Sequence, residues 1–482
     1  MIKVYLDWNV MSGMRNGQFD SFEKIIVNKE KFRLVYSTSH IGDISQSVKT
    51  HSQEEQEMIR TDLDYIRKLT DNLCLYNDSK HINIQRVDPG KLLDDRIEQL
   101  PLFDDLSLES IAKIFEEDPT ANRLMTPIFK ILESMPLDSI LKEAFENPQS
   151  AEMMEKMFPG LKENMTMGGF FKSFGQTIKN LNDTEDYKDL RNMVQKIGIN
   201  SGHFNPDKDP FKLIDDTYKK LGVDSSQVFN SFNDSKNAPE WFNKLTNEYI
   251  KLDMHGFKQD KVKVSQVEKN TFGNTTEDAF HTSFASLCEF YITNDTRDYE
   301  KAKAVYNEFG ISTKVLKPHE FIEYYNRFLM DVTIVDHFKR VIEVMKRKEM
   351  FQEQKFTDGR LFGSVCFTYE YFFNYFNKIM IPANPEINEA LFILSKENPS
   401  EEAYLIAFEE IEGLVKLLVD SLGIDENGKS FLEVEEFIDE GVWIGRRWDT
   451  NLGLITLVRS NSWFQLYLFM NKEEDEKTIS KV

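Results

Sequence analysis

Short apolar runs alternate with helical spacing in two separate parts of the chain. Ile2–Leu6 and Phe32–Ser37 are β-prone runs, and a segment with helical periodicity follows each of them. Phe290–Thr293 and Ser312–Leu316 repeat this pattern much later in the chain. Alternation of strands and helices is typical of a parallel sheet, because parallel strands need a crossover connection. The sequence therefore predicts an α/β fold, with a parallel sheet flanked by helices.

Two further runs predict an edge to this sheet. Leu73–Tyr76 and Ile82–Val87 alternate apolar and polar residues across a polar turn. This spacing indicates an antiparallel hairpin, which we expect at the edge of the sheet.

The patterning changes at about residue 88. Residues 88–265 have helical periodicity and few β-branched runs, which predicts a helical insertion outside the sheet. The chain becomes extended again at Val262–Val267. Residues 1–87 and 266–325 are therefore expected to form the two halves of one α/β domain. The insertion could cover a cleft or mediate contacts with a protein partner, including a second copy in a homo-oligomer.

Residues 326–482 predict a separate α+β domain. Residues 399–423 form a convincing amphipathic helix, and residues 361–381 are rich in aromatic and β-prone side chains. Two or three antiparallel strands are expected near the end, with turns at Asn451–Gly453 and Ser460–Ser462. The chain's densest basic cluster lies on a helix-like segment that includes Lys339 and Arg340. A solvated helix face is the commoner explanation for such a cluster, and the functional alternative is that these two residues contact a phosphate backbone.

Composition and charge limit which partners and which cellular compartment are expected. The chain has 482 residues and a net charge of −22, so it lacks a generic cationic surface for a polyanion. Any nucleic-acid chemistry must then use local basic patches or a divalent metal. Cys74, Cys288 and Cys366 are scattered and form no CxxC motif, which fits small buried residues in a reducing compartment. With no secretory signal or long apolar run, the sequence predicts a cytoplasmic protein with no membrane partner.

Carboxylates follow the predicted strands. Asp7 ends the first strand, and Asp295 lies just beyond Phe290–Thr293. Asp278 lies on the preceding helix, which we expect it to open. Ligands of open parallel sheets bind at the carboxyl ends of the strands. These aspartates therefore predict one shared site.

Four segments resemble, in order, the acidic motifs of PIN-like nuclease domains: YLDWNV, STSHIGDIS, TEDAFHTSFA and ITNDTRDY. STKVLKPHEFIEYY resembles the closing strand of the same family. The resemblance covers about a third of the chain, roughly residues 1–85 and 266–325. It implies a divalent-metal-dependent endonuclease acting on nucleic acid, with RNA favoured over DNA. The second acidic position, often Glu in the family, is Asp43 here.

Close carboxylates repel by roughly 1–4 kcal/mol per pair, which a divalent cation would offset. Hard oxygen ligands suit Mg²⁺ or Mn²⁺, which would activate water for attack on phosphorus. On this interpretation Asp7, Asp278 and Asp295 are metal ligands. Asp43 is a fourth catalytic residue that binds metal or orients water.

The same interpretation assigns supporting roles. Asn9, Thr293 and Asn294 would hold the carboxylates by hydrogen bonds. His281 follows Asp278 by one helical turn and is expected to contact substrate or to be a half-buried helix residue. Glu277 is expected to be a helix N-terminal acid.

Two other functions remain open on the sequence. Dehalogenase-type phosphatases place a second Asp two residues after the first, but this chain has Asn9 there. A PIN-like scaffold or binding module with a degenerate site is favoured by Asp43 in place of Glu and by the net acidity.

Overall fold

The structure is a computed structural model of the chain. It describes residues 1–46, 52–104, 208–220, 238–258, 272–330, 334–355, 359–383, 390–397, 407–433, 442–451, 453–460 and 463–470, with shorter pieces between 142 and 205, at 357 and at 436–438.

The first sheet has six strands in the order β4-β3-β2-β1-β5-β6. Its strands are β1 (Ile2–Leu6), β2 (Phe32–Ser37), β3 (Leu73–Asn77), β4 (Ile82–Arg86), β5 (Phe290–Ile292) and β6 (Lys314–Leu316). All neighbours are parallel except β3 and β4, which form the antiparallel edge hairpin that the sequence predicted. The expectation of a mixed α/β fold with a parallel sheet is confirmed.

Strand β1 lies at the centre of the sheet, and both of its faces are buried. All five of its residues are buried, as expected for a strand covered on both sides. Val4 pairs with Leu34 on one side and with Phe290 on the other. The chain builds outward from β1 to β2 and β3, and then from β5 to β6 in the other direction. The crevice at the carboxyl ends of β1 and β5 is therefore a topological switch point, where ligands of such sheets bind.

Seven helices surround this sheet within the described residues: α1 (Trp8–Arg15), α2 (Asp20–Ile26), α3 (Thr38–Gln46), α4 (Gln53–Thr70), α8 (Phe272–Ala285), α9 (Thr296–Phe309) and α10 (Pro318–Tyr324). The expectation that Asp278 opens a helix is wrong, because α8 begins six residues earlier. Thr275, on the first turns of α8, is only 7% exposed, so burial extends the helix beyond the acidic residue that resembled a cap. Gly310 ends α9 in the left-handed conformation, with φ +63°, which glycine adopts without strain.

The inserted part is helical wherever it is described at length, in α5 (Pro89–Asp104), α6 (Pro210–Lys220) and α7 (Glu240–Met254). None of its described residues adds a strand to the first sheet. Phe242 of α7 packs on Phe284 of α8, with ring centres 4.9 Å apart. Asp253 of α7 accepts a hydrogen bond from Lys301 of α9 at 2.8 Å. The predicted extended segment Val262–Val267 lies outside the described residues.

The later part of the chain forms a seven-stranded sheet in the order β13-β14-β15-β10-β9-β8-β7, whose neighbours are all antiparallel. Its strands are β7 (Gln352–Lys355), β8 (Leu361–Phe372), β9 (Phe376–Pro382), β10 (Ala390–Ser395), β13 (Arg446–Thr450), β14 (Gly453–Ser460) and β15 (Trp463–Met470). A separate two-stranded sheet pairs β11 (Phe437–Ile438) with β12 (Val442–Trp443). The helices of this part are α11 (Ile334–Lys346) and α12 (Ala407–Leu422). The antiparallel strands and the amphipathic helix expected from the sequence are present.

Buried charges join the two sheets. Lys396, after β10, donates to Glu289 at 2.8 Å and to Glu410 of α12 at 3.0 Å. Lys3 of β1 lies 3.4 Å from Glu410. Burial opposes charge on both lysines, but the two carboxylates raise their pKa values, so all four groups stay ionised.

Cys74, Cys288 and Cys366 are free and buried, as the sequence predicted. Among the helices described, none is both long enough and apolar enough to cross a membrane.

Candidate active site

Asp7 lies at the switch point, directly after β1. Its backbone N–H donates to the Ile292 carbonyl at 2.9 Å, which ties the end of β1 to the end of β5. Its Oδ2 accepts hydrogen bonds from Thr293 Oγ1, at 2.8 Å, and from the amide of Asn9. Asp7 is only 6% exposed, and its Oδ1 accepts no hydrogen bond from the described residues. One carboxylate oxygen is thus fixed and the other is left for a ligand.

The predicted supporting residues meet around Asp7. Asn9 Oδ1 accepts from the backbone N–H of Asn294 at 3.1 Å. Thr293 Oγ1 accepts from the backbone N–H of Asp295 at 3.2 Å. Asn9 and Thr293 therefore link the two strand ends through their side chains. The contact that Asn294 makes here uses its backbone.

Asp43 and His281 reach the same crevice from α3 and α8. His281 Nε2 lies 2.9 Å from Asp43 Oδ2, and its Nδ1 lies 2.6 Å from the Tyr5 hydroxyl. One carboxylate oxygen or ring nitrogen from each of Asp7, Asp43 and His281 lies within 4.8 Å of the other two. His281 is 1% exposed, so the expected substrate contact needs correction. Its ring lies beneath the carboxylates and positions Asp43.

The hydrogen bonds assign a tautomer to His281. Burial lowers its pKa to about 4, so the ring is neutral at pH 7. Burial also raises the pKa of Tyr5 well above its usual value, so the phenol keeps its proton. Tyr5 can then donate to Nδ1, and Nε2–H donates to Asp43. The Ser37 hydroxyl, 2.6 Å from Tyr5, completes this chain of polar groups.

Asp298 is a buried carboxylate that the sequence did not assign to the site. It is 2% exposed and accepts hydrogen bonds from Tyr291 at 2.6 Å, Tyr249 at 3.0 Å and Thr282 at 3.3 Å. Burial raises its pKa to about 6, although the Tyr291 hydrogen bond acts in the opposite direction. In the sequence, its position one helical turn after Asp295 was the signal that could have identified Asp298 as a site residue. Tyr291 is only seven residues before Asp298, but Tyr249 is 49 residues away and could not be anticipated.

Asp278 has no hydrogen-bond donor among the described residues. Burial raises its pKa well above the usual value, and the negative charge of Asp298 is the second cause. Asp7 and Asp295 raise it further, while Lys301 lowers it. Burial, Asp298 and Asp43 likewise raise the pKa of Asp7. The charges of Asp298, Asp7 and Asp295 therefore act on Asp278, but Asp278 is not part of the group formed by Asp7, Asp43 and His281, whose ligand atoms lie within 4.8 Å of one another.

Asp295 is exposed and caps α9. Its Oδ1 accepts from the backbone N–H groups of Arg297, at 2.6 Å, and Asp298, at 3.2 Å. Such caps stabilise a helix by about 1 kcal/mol. Asp295 thus has a structural role besides any part in metal binding, and Asn is the substitution that can preserve the cap.

Glu277 is not the helix N-terminal acid that we expected. It lies inside α8, is 5% exposed, and accepts from Arg96 of α5 at 2.5 Å. A Cβ built on Gly42 would lie 2.4 Å from the Glu277 carboxyl group, so only glycine lets this acid pack beside Asp43. Burial raises the pKa of Glu277, while Arg96 lowers it.

Lys339 and Arg340 are not placed at this site by any described contact. Both lie on α11, and Arg340 is 3.3 Å from Glu370 of β8. Their predicted phosphate contact stays a prediction.

Comparison with known protein families, curated proteins and solved structures finds no significant match to this chain. The fold and the site therefore define it only as a mixed α/β protein with buried carboxylates at a sheet switch point.

The Asp43 carboxyl predicts a pH dependence of stability. Burial raises its pKa to about 7 from 3.8, with His40 and Arg96 acting in the opposite direction. The folded state then binds this proton more tightly than the unfolded state, so the contribution of Asp43 to stability falls as pH rises from about 4 to about 7. Asn cannot ionise, so the Asp43→Asn variant does not lose stability in this way as pH rises. With EDTA present, differential scanning fluorimetry should show that the melting temperature of Asp43→Asn, relative to wild type, increases from about pH 4 to about pH 7. A difference independent of pH would contradict the assignment.

Proposed function

We propose that this protein is a divalent-metal-dependent nuclease that hydrolyses phosphodiester bonds, with RNA as the favoured substrate. One observation carries the proposal: Asp7, Asp43 and His281 bring potential metal-ligand atoms within 4.8 Å of one another at the switch point of a parallel sheet. Asp278 has no hydrogen-bond donor, and Asp7 has only one oxygen bonded, among the described residues. The resemblance to PIN-like domains supports the same function but remains a prediction.

The residues present fit a hard cation. Mg²⁺ and Mn²⁺ prefer carboxylate oxygens, and Asp7 and Asp43 bring carboxylate oxygens within 4.8 Å of each other and of a ring nitrogen of His281. Asp7 and Asp43 would hold the ion directly, and Asp278 and Asp295, which are not part of this group, would act through bound water. Bound there, the ion would lower the pKa of a water molecule and offset charge on the phosphate.

The remaining residues have roles that do not require direct contact with the ion. Thr293 and Asn9 hold Oδ2 of Asp7, and His281 holds Oδ2 of Asp43, so that the other oxygen of each carboxylate can face the cation. Tyr291 and Tyr249 donate to Asp298. Asp298 therefore contributes negative charge from beneath the site.

Asp278→Asn tests the proposal directly. It should abolish cleavage of RNA in Mn²⁺ while leaving the folded structure intact, because the carboxylate makes no hydrogen bond that the fold needs. Purified protein would be incubated with single-stranded RNA, structured RNA and DNA, and the products resolved on a denaturing gel. Asp94→Asn, an exposed site on α5, is the matched control and should cleave as wild type does.

Asp295→Asn completes this test, because Asn can keep the cap of α9 while removing the charge. Reduced cleavage with an unchanged melting temperature is expected. If wild-type protein cleaves no RNA or DNA in Mg²⁺ or Mn²⁺ and shows no metal-dependent rise in melting temperature, a scaffold or binding role replaces the nuclease.

A further inference from the structure

Two lysines lie beside the acidic site around the ring of Tyr299. Lys317 donates to Thr296 Oγ1 at 2.8 Å, and Thr296 directly follows Asp295 in the chain. The Lys317 ammonium is 5.4 Å from the centre of the Tyr299 ring, and the Lys303 ammonium is 4.1 Å from it. Attraction to the aromatic ring helps to hold the two like charges together.

Neither ammonium forms an ion pair within the part of the chain that the structure describes. Glu320 lies in the same group, but it accepts from the Tyr299 hydroxyl at 2.9 Å and from the backbone N–H of Lys317 at 2.8 Å. By contrast, Arg96 and Lys301, two cations near the carboxylates, are paired with acids. Lys303 donates to the Tyr299 hydroxyl. Two ammonium groups without an ion-pair partner among the described residues, in a chain of charge −22, are suited to an anionic ligand.

Helix α9 leads from these lysines to a cavity of about 550 Å³. Its walls include Phe204 and Phe257, which meet edge to face with ring centres 5.2 Å apart. Asn307 also lines it. Charges of both signs balance around the cavity: Lys208, Lys258, Lys303, Asp209, Glu300 and Glu308. A balanced cavity with aromatic walls and an amide suits an uncharged planar ring better than a phosphate.

We propose that the exposed side of α9 carries a single strand of nucleic acid away from the acidic site. Lys317 and Lys303 bind phosphates of its backbone, and the cavity receives one unpaired base. Lys303 follows Asp295 by eight residues, about 12 Å along the helix axis. A base can enter the cavity only when it is unpaired and unstacked, which selects single strands over duplexes. The position of the cleaved bond rests on the proposed function, whereas this binding does not need catalysis.

Binding is measured in an Asp7→Asn background with Ca²⁺, by fluorescence anisotropy of a fluorescein-labelled 12-nucleotide oligouridylate. Lys303→Ala/Lys317→Ala should weaken binding at least tenfold. It should also reduce the slope of log affinity against log salt by about 1.4, as expected for two phosphates of a single strand. Lys24→Ala/Lys219→Ala removes the same charge from exposed positions and should leave affinity unchanged. Phe204→Ala should weaken binding of the oligouridylate but not of a blunt RNA duplex.

Unchanged affinity in the Lys303/Lys317 variant overturns the inference, and loss in Lys339→Ala/Arg340→Ala instead would move the binding surface to α11. Displacement of the oligouridylate by an equal concentration of uridine monophosphate would make a free nucleotide the occupant and also overturn the strand path. Cleavage by wild type with unchanged affinity in the lysine variant would leave only the nuclease proposal. If binding depends on the two lysines but wild type cleaves nothing, the strand-binding proposal stands and the nuclease proposal fails.

Discussion

If the protein is a metal-dependent nuclease, Asp7→Asn is expected to abolish its cleavage activity and the rise in melting temperature that Mn²⁺ should give to the wild type. Hydrogen bonds from Thr293 and Asn9 hold one oxygen of Asp7 in place. Its replacement removes a charged ligand while keeping the shape of the side chain. Metal that binds only the folded state stabilises it by about 2.7 kcal/mol at a hundredfold excess over Kd, and this gain should disappear. Melting with EDTA and with Mn²⁺, beside a cleavage assay, measures both effects.

A buried but paired carboxylate provides the control. Asp425 is fully buried and lies 2.9 Å from Arg446, in the later part of the chain that forms the second sheet. Asp425→Asn should lower stability yet keep the full Mn²⁺ response. Asp7→Asn should instead raise stability in EDTA, because an amide avoids the burial cost that raises the pKa of Asp7. An Mn²⁺ shift in Asp7→Asn equal to that of wild type would refute the metal site.

Arg446→Leu should destabilise the later part of the chain by about 3–5 kcal/mol, the cost of breaking a buried ion pair. The guanidinium is 1% exposed and lies 2.9 Å from Asp425 and 2.6 Å from Glu436. Leucine fills part of the volume but leaves both carboxylates without their cation. Urea unfolding followed by tryptophan fluorescence reports on this region, because Trp443 donates to Glu436 at 3.1 Å.

The next residue gives a matched comparison. Arg447 pairs with Glu426 at 3.2 Å, but its side chain is 55% exposed. Solvent screens such a pair, so Arg447→Leu should cost at most about 1 kcal/mol. Similar losses for the two variants would mean that the buried network contributes nothing beyond a surface pair.

The strands could be predicted because each carries its own local signal. Ile2–Leu6 and Phe32–Ser37 are continuous apolar runs, and the structure assigns strands over the same residues. The start of α8 could not be predicted in the same way. Asp278 resembled a helix opening, but tertiary burial of the preceding turns overrides that local preference.

The candidate site was predictable only where strand ends mark it. Asp7 and Asp295 follow strands, so their proximity could be inferred from the sheet alone. Asp298 and its two phenol donors depend on packing between α9, β5 and α7, which no local pattern encodes. The same holds for His281, because its burial beneath Asp43 follows from how α8 packs against α3. Lys317 and Lys303 were equally hidden, since they meet only around Tyr299.

The pairing of β1 with β5 has a consequence for synthesis of the chain. Asp7 and Thr293 are 286 positions apart, yet they are hydrogen-bonded neighbours. At about 5–20 residues per second, the ribosome needs roughly 15 s to 1 min to make the intervening chain. During that time β1 can pair with β2, but its other edge stays open and can pair wrongly. The nascent chain therefore has no complete carboxylate cluster until α9 has left the ribosome, and a chaperone that covers the free edge of β1 would raise the yield of folded protein.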